Sequence, residues 1–291
     1  MYNNHNIIAI NFSDANFETQ RKYNTLTAYK TGKADKVIEY TPKDIDKEFY
    51  HKNSRIFAYR RGAGLWLWKP YFILKTLVQI KEGDYLFYCD SGAFYDNKIS
   101  RLIDVLEKED ISVMPFELPL LERQWTKKEV FSIMGYDDLS SNQICASYIL
   151  LKKNDFSRKI IEEWLNYMQD ERCASPNQFT QEKNPVDFIE HREDQSVFSL
   201  ICRKNGIIPF RDPSQFGDRP WQYAWNKKYA DKKQWTYNEK KYPNSPYPRI
   251  IVSNRRVEPQ AFRKREKIRN LLWHLGIYNK YYFKYKTGAI I

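Results

Sequence analysis

Residues 85–89 read YLFYC, five apolar or aromatic side chains in a row, and the next residue is a lone carboxylate, Asp90. No other feature restricts the fold as much. A strand with one wet face alternates apolar and polar positions, whereas a strand with no polar position must be covered on both sides. Such a strand belongs at the centre of a sheet with helices on each face. Its carboxyl end, here Asp90, is where ligands sit in open α/β sheets. The rest of the chain agrees with an α/β class. Residues 6–12 (NIIAINF), 36–40 (KVIEY) and 112–117 (SVMPFE) predict further strands. Pro70 opens a predicted helix with Phe72, Ile73, Leu77 and Ile80 on its apolar side and Gly83 at its end. Over 155–170, Phe156, Ile160, Ile161, Trp164, Leu165 and Met168 recur at helical spacing. Val197, Phe198, Ile201 and Cys202 form one face of another helix, closed by Gly206. A last amphipathic helix is predicted over 259–275, with Ile268, Leu271, Leu272 and Leu275 as its apolar residues.

Length and composition narrow the classes. A chain of 291 residues is long enough for one large α/β domain, or for a domain with an appendage. Its apolar runs fall far short of the roughly 20 residues a bilayer-spanning helix needs. The N-terminus, MYNNHN, has neither the basic start nor the apolar stretch of a signal peptide, so a cytoplasmic location is expected. Cys89, Cys145, Cys173 and Cys202 show no C-x-x-C spacing, which speaks against zinc and, in a reducing compartment, against disulfides. The net charge of +12 is unevenly spread: residues 219–291 carry 18 Lys and Arg against 4 Asp and Glu, while residues 1–218 carry 30 against 32. We therefore expect a main domain over 1–218 and a basic, aromatic-rich extension over 219–291. The extension's surface should attract the phosphates of nucleotides, nucleic acid or anionic lipid headgroups.

Three stretches carry candidate chemistry. In DSG, residues 90–92, Asp90 is suited to hold a divalent metal (Mg or Mn) against a diphosphate, though Asp, Ser and Gly also make ordinary turns. In RRGAGLWLWKPY, residues 60–71, two glycines ahead of a helix can admit a phosphate or sugar to backbone N–H groups, and Lys69 adds positive charge. Trp66 and Trp68 either stack on a base or sugar ring or belong to the core. The spacing is neither a Walker A nor a dinucleotide fingerprint. In HREDQS, residues 191–196, Glu193 and Asp194 either complement a helix dipole or place Asp194 as a general base or sugar-binding carboxylate, with His191 nearby as a metal ligand or donor contact.

Taken together, GAGLWLWKPYFILKTL, GDYLFYCDSGAFY, WTKKEVF, NQICASYILLKKNDFSRKIIEEWL and FIEHREDQSVFSLICRKNGI occur in an order that resembles a family of bacterial nucleotide-sugar-dependent glycosyltransferases of GT-A type, found among capsular polysaccharide and O-antigen genes. The resemblance spans about residues 6 to 256. It implies a Rossmann-related, GT-A-like mixed sheet flanked by helices and a hexosyl transfer from a nucleotide-sugar donor to a saccharide acceptor. That acceptor would be carried on a lipid diphosphate at the inner face of the membrane. Asp90 then matches the counterpart of the family's Asp-x-Asp motif, but Gly92 stands where the second Asp would, which weakens the case for a metal. Phe12 and Tyr23 fall where such folds hold the nucleotide base, and Arg60, Trp68, Lys69, Ser91, Gln143 and Gln195 fall on the donor side. Trp125 and Lys127 of WTKKEVF fall on the acceptor side. Asp194, with His191, matches the base of inverting enzymes, while Asp194 with Gln195 matches a donor-sugar motif of retaining ones; the inverting scheme is preferred. The basic final helix and the segment NKYYFKYK suggest an anionic membrane surface as a partner. A nucleotide-sugar hydrolase or a nucleic-acid binder is the alternative. No RNA-binding consensus, helix-turn-helix or zinc spacing supports the latter, so nucleic acid is not an expected partner.

Overall fold

The computed structural model describes residues 1–225 and 238–279. Most of NKYYFKYK, from residue 280 onward, lies outside the described residues. In chain order the main elements are β1 (Ile7–Phe12), α1 (Glu18–Thr27), β2 (Lys36–Tyr40), α2 (Trp68–Gln79), β3 (Tyr85–Cys89), β4 (Ala93–Tyr95), α3 (Ser100–Lys108), β5 (Val113–Leu121), β6 (Asn142–Lys152), α4 (Asp155–Met168), α5 (Glu193–Lys204), β7 (Phe210–Arg211), β8 (Ile251–Ser253) and α6 (Pro259–His274). Six strands form a mixed sheet in the order β2-β1-β3-β6-β5-β7, flanked by helices on both faces. This is the arrangement that the resemblance implies. Strands β2, β1 and β3 run parallel, and β6 is antiparallel to both of its neighbours. A separate ribbon pairs β4 with β8.

The uniform apolarity of residues 85–89 has the expected cause. Along β3, Leu86 and Tyr88 enter the core that α2, α4 and α5 cover, while Tyr85, Phe87 and Cys89 enter the core beneath α3. Strand β1 divides likewise, with Ile8, Ile10 and Phe12 on the first side and Ile7 and Ala9 on the second. Because β1 lies between β2 and β3, its connection leaves one way while β3 pairs on the other. The carboxyl ends of β1 and β3 therefore flank a topological switch point, where a crevice opens in sheets of this kind.

Helix α2 starts two residues before Pro70, which falls in a first turn where its missing N–H costs nothing. It ends at Gln79, and Gly83 at φ +81° shapes the turn into β3. Helix α4 is capped by Asn154 and Ser157 in a reciprocal box, and it buries Ile160, Ile161, Trp164 and Met168 as its spacing predicts. Phe156, placed on the same stripe, is 45% exposed because it precedes the region where α2 and α5 cover the helix. Strand β6, the partner of both β3 and β5, was not anticipated. Its polar Asn142 and Gln143 interrupt the apolar pattern yet are fully buried. Helix α6 departs furthest from expectation: it packs through Glu266, Trp273 and Leu272, and leaves Ile268, Leu271 and Leu275 exposed.

Candidate active site

A cleft of about 1080 Å³ opens at the carboxyl ends of β1 and β3. Phe12 at the end of β1, Asp90 and Ser91 beyond β3, and Trp68 at the start of α2 form its floor. Phe12 and Trp68 stack with ring centroids 3.7 Å apart, and the Ser91 hydroxyl donates to the Phe12 carbonyl at 2.6 Å, tying the two strand ends together. Among the described residues, Arg60, Arg192, Arg255, Arg256 and Arg269 line the walls, against two carboxylates, Asp14 and Asp90. Both Asp14 oxygens are engaged by Asn16, at 2.9 and 3.1 Å. The cleft is thus a concave, electropositive surface with aromatic walls, suited to an anionic ligand bearing rings.

Beneath Asp90 lies a buried charge cluster. Lys69 Nζ is 2.5 Å from Asp194 Oδ2 and 3.5 Å from Asp90 Oδ1, and the Tyr88 hydroxyl donates to that same Asp90 oxygen. Lys69 comes from the first turn of α2 and Asp194 from the first turn of α5, so the ion pair fastens both helix starts under the strand end. Burial pulls the Lys69 ammonium down, but Asp194 and Asp90 outweigh it and the net shift is upward, leaving lysine charged. Burial pushes Asp194 up to about 6 against the opposing pull of Lys69. Its backbone carbonyl accepts from Trp164 Nε1 at 3.1 Å. Asp194 does not line the cleft; the next residue, Gln195, does. Gln195 Nε2 donates to Gln143 Oε1 at 2.6 Å. Gln143 is held in turn by the Trp125 carbonyl at 3.2 Å and Ser196 Oγ at 3.3 Å. Gln143 is therefore a support for Gln195 and sits under the surface.

The glycines of residues 60–71 serve a different end from the one expected. Gly62, Ala63, Gly64, Leu65 and Trp66 all have positive φ, from 51° to 96°, making one turn of left-handed helix on the cleft wall. Such a turn costs roughly 1–2 kcal/mol per residue with a side chain, and glycine removes that cost. A Cβ at Gly62 would also lie 2.3 Å from the Trp66 ring. The N–H groups of Ala63, Gly64, Leu65 and Trp66 are bonded to the carbonyls of Arg60, Tyr59, Arg61 and Gly62, so they do not form a phosphate cradle. What the turn presents to the cleft is Arg60 and Trp66. Arg61 anchors it through a bidentate contact with Glu193, at 2.5 and 3.2 Å. Burial pushes Glu193 up to about 7, with Arg61 opposing.

Besides Lys69 and Asp194, which lie beneath the cleft, four expected residues do not line it. His191 is 1% exposed, with Nε2 against the Cys173 carbonyl at 2.8 Å; burial and then the Lys127 charge push it down to about 3, so it is a neutral packed ring outside the cleft. Lys127 is buried in an ion pair with Glu129 at 2.6 Å and does not reach the cleft. Tyr23 packs edge-on against Phe94, its hydroxyl accepting from Arg263 at 3.2 Å. Gln143, as described, is covered. Trp125 does line the cleft, with the Arg192 guanidinium 4.4 Å above its ring. Residues not singled out from sequence come chiefly from the extension: Arg255, Arg256, Arg269, Phe262 and Tyr278. Their signal was present only as bulk positive charge.

A divalent ion on paired carboxylates does not fit these residues. Asp90 Oδ1 already faces a lysine and a tyrosine hydroxyl, Gly92 offers no ligand, and no group of three or more His, Cys, Asp or Glu among the described residues could hold a metal ion. No family model matches the chain, and no curated protein does. Solved structures share its general arrangement. The galactosyltransferase LgtC, in complex with donor and acceptor sugar analogues, is 13% identical with a TM-score of 0.46, covering 84% of this chain and 86% of its own. Mouse xyloside xylosyltransferase 1 is 9% identical with a TM-score of 0.43, covering 86% and 97%. The glycosyltransferase GlyE of Streptococcus pneumoniae TIGR4 is 14% identical with a TM-score of 0.40, covering 86% of this chain and 54% of its own. Likenesses this distant leave the chemistry to be read from the cleft.

Proposed function

We propose that the protein is a GT-A-type glycosyltransferase that moves a sugar from a nucleotide-diphosphate donor to a saccharide acceptor in bacterial surface polysaccharide synthesis. One observation carries the reading: Asp90, at the end of a central strand, opens into an aromatic cleft lined by five arginines. A nucleoside diphosphate needs this combination, with rings to stack on, cations for its phosphates and a carboxylate aligned by a buried lysine. In this scheme Phe12 and Trp68 form the apolar floor for the donor, and Gln195, held by Gln143, contacts sugar hydroxyls. Asp194 acts through Lys69, fixing the charge beneath Asp90, rather than by touching the acceptor. That placement supports the donor-sugar role of the Asp-Gln pair more than the base of an inverting enzyme. The acceptor enters beside the extension, and a lipid-diphosphate carrier would bring the protein to the membrane as a peripheral partner.

The test is incubation with a panel of nucleotide sugars, measuring nucleoside diphosphate release with and without saccharide acceptors. Acceptor-dependent release from one nucleotide class is expected, and the anomeric configuration of the product, read by NMR, separates retention from inversion. Release that ignores every acceptor would instead make the protein a nucleotide-sugar hydrolase. No release from any donor would remove the reading.

A further inference from the structure

We infer that the turn over residues 254–257, with Arg269 of α6 beside it, is the diphosphate subsite of the cleft, supplying with guanidinium groups the positive charge that a metal ion on two strand-end carboxylates would provide. The inference rests on the donor reading above and assigns Arg255, Arg256 and Arg269 to it.

The position where a second acidic ligand would stand is built to receive this turn. The Gly92 carbonyl accepts from the backbone N–H groups of Asn254 and Arg255, at 2.9 and 2.7 Å. A Cβ at residue 92 would lie 3.1 Å from Arg255 Cα and 3.3 Å from its carbonyl oxygen, backbone atoms that cannot swing aside. Glycine and the arginine-bearing turn therefore fit together closely, and an aspartate at 92 would push the turn back by a few tenths of an ångström and set a negative charge beside its arginines. The turn is held firmly. Arg255 is in the left-handed region at φ 53°, the Asn254 amide donates to the Val257 carbonyl at 2.7 Å, and Gln20 donates to the Arg256 carbonyl at 3.2 Å. Gln215 bonds both the N–H and the carbonyl of Ser253, at 2.9 Å each.

The charges are in surplus. Arg255 has no acidic partner among the described residues, and Arg256 lies over the Phe17 ring at 5.4 Å. Arg269 reaches Glu266 at 3.7 Å, but that one carboxylate also carries Arg219 and, at 3.1 Å, Arg249. Arg249 is also paired with Asp96 at 2.6 Å, so three guanidiniums face two carboxylates and one positive charge is left in excess behind the cleft wall. Arginine forks match the oxygens of phosphate groups bidentately, and several of them side by side suit a ligand that carries two adjacent phosphates.

The experiment is calorimetric titration of the full-length protein with UDP, GDP, CDP, dTDP and inorganic pyrophosphate, in EDTA and again with added magnesium or manganese. We expect one nucleoside diphosphate to bind in EDTA with a Kd within about threefold of its value with metal. The variant Arg255→Asn combined with Arg256→Gln should weaken that binding roughly tenfold or more while leaving affinity for the parent nucleoside unchanged. Asparagine tolerates the left-handed conformation, so the turn should persist, and an unchanged melting curve will confirm it. Gly92→Asp should lose the same affinity in EDTA. Binding that appears only with metal, or arginine variants that bind as wild type does, would overturn the inference while leaving the donor reading intact. If no nucleoside diphosphate binds under either condition, the donor reading fails and the inference with it.

Discussion

At the scale of residues, the charge cluster under the cleft separates what is needed for chemistry from what is needed for folding. Asp90 is a third exposed, and its loss leaves Lys69 still paired with Asp194. Asp90→Asn should therefore cost under about 1 kcal/mol of stability. Turnover should nonetheless fall by roughly two orders of magnitude or more, because the carboxylate helps set the field under the departing diphosphate. Lys69→Met should do the reverse in proportion: it strands Asp194 as an uncompensated buried charge, at about 3–5 kcal/mol, and the melting temperature should drop steeply. Thermal melts beside initial rates check both, and an Asp90→Asn enzyme of near wild-type rate would remove Asp90 from the site. The raised Asp194 carboxyl gives a pH signature. Protonation breaks its charge pairing with Lys69, so kcat/KM should decline as pH falls through about 6, and Asp194→Asn should lack that limb at a lower plateau. Stability moves the other way. A carboxyl raised by burial favours the fold below the ordinary carboxylate range, and that contribution is lost as pH rises through about 6. The places of Asp90 at the cleft and of Lys69 beneath it were legible because a strand end and a helix start each leave a local trace. The burial of His191 and Lys127 was not, because it depends on residues that only the fold brings over them.

At the scale of elements, periodicity located the strands and helices where one element's own residues decide its contacts, as in β3 and α4. It failed where a partner decides. Strand β6 buries polar groups because distant elements satisfy them: Asn238 of the extension pairs with the Asn142 amide at 2.8 and 2.9 Å, Gln195 and Ser196 on α5 hold Gln143, and Ser199 Oγ on α5 accepts the Ile144 N–H at 2.7 Å and donates to Glu122. Glu122 also accepts from Thr126 at 2.8 Å, and burial pushes it up to about 7. Here too the sign follows from a raised carboxyl. Folding is favoured at low pH and loses on the order of 3 kcal/mol as pH rises from the ordinary glutamate range through about 7. Glu122→Gln keeps the shape and cannot ionise. Its melting temperature relative to wild type should therefore rise between pH 5 and about pH 7, and a constant difference across that range would show that the folded Glu122 is already ionised at pH 5 and its carboxyl is not raised.

At the scale of the whole molecule, the extension is joined to the rest by long-range contacts that no local pattern announces. Strand β8 pairs with β4, Tyr247, Ile250 and Ile251 fill the same core as Phe87 and Tyr95, and the turn that follows closes the cleft. Composition revealed the extension's charge but not that some of its arginines turn inward. Others remain outside. On α6, at about 100° per residue, Ile268, Leu271 and Leu275 share one narrow stripe opposite the buried Glu266. They are 59, 60 and 62% exposed, Ile277 beyond the helix is 55% exposed, and Lys264, Arg265 and Lys267 are exposed beside them. This apolar stripe does not pack on the described part of the chain. No described helix is long and apolar enough to cross a membrane, so docking would be in the interface plane. Each basic residue near an anionic surface contributes about 1 kcal/mol, screened by salt, and the apolar stripe adds a component that salt does not weaken. Full-length protein should therefore sediment with phosphatidylglycerol vesicles but not with phosphatidylcholine vesicles at low salt. Leu271→Ser combined with Leu275→Ser should lower that partitioning by roughly tenfold without changing turnover on a short water-soluble acceptor. Indifference to anionic vesicles at low salt would rule out membrane docking by this helix. A dimer that the same double substitution abolishes would assign the stripe to a second copy of the chain instead.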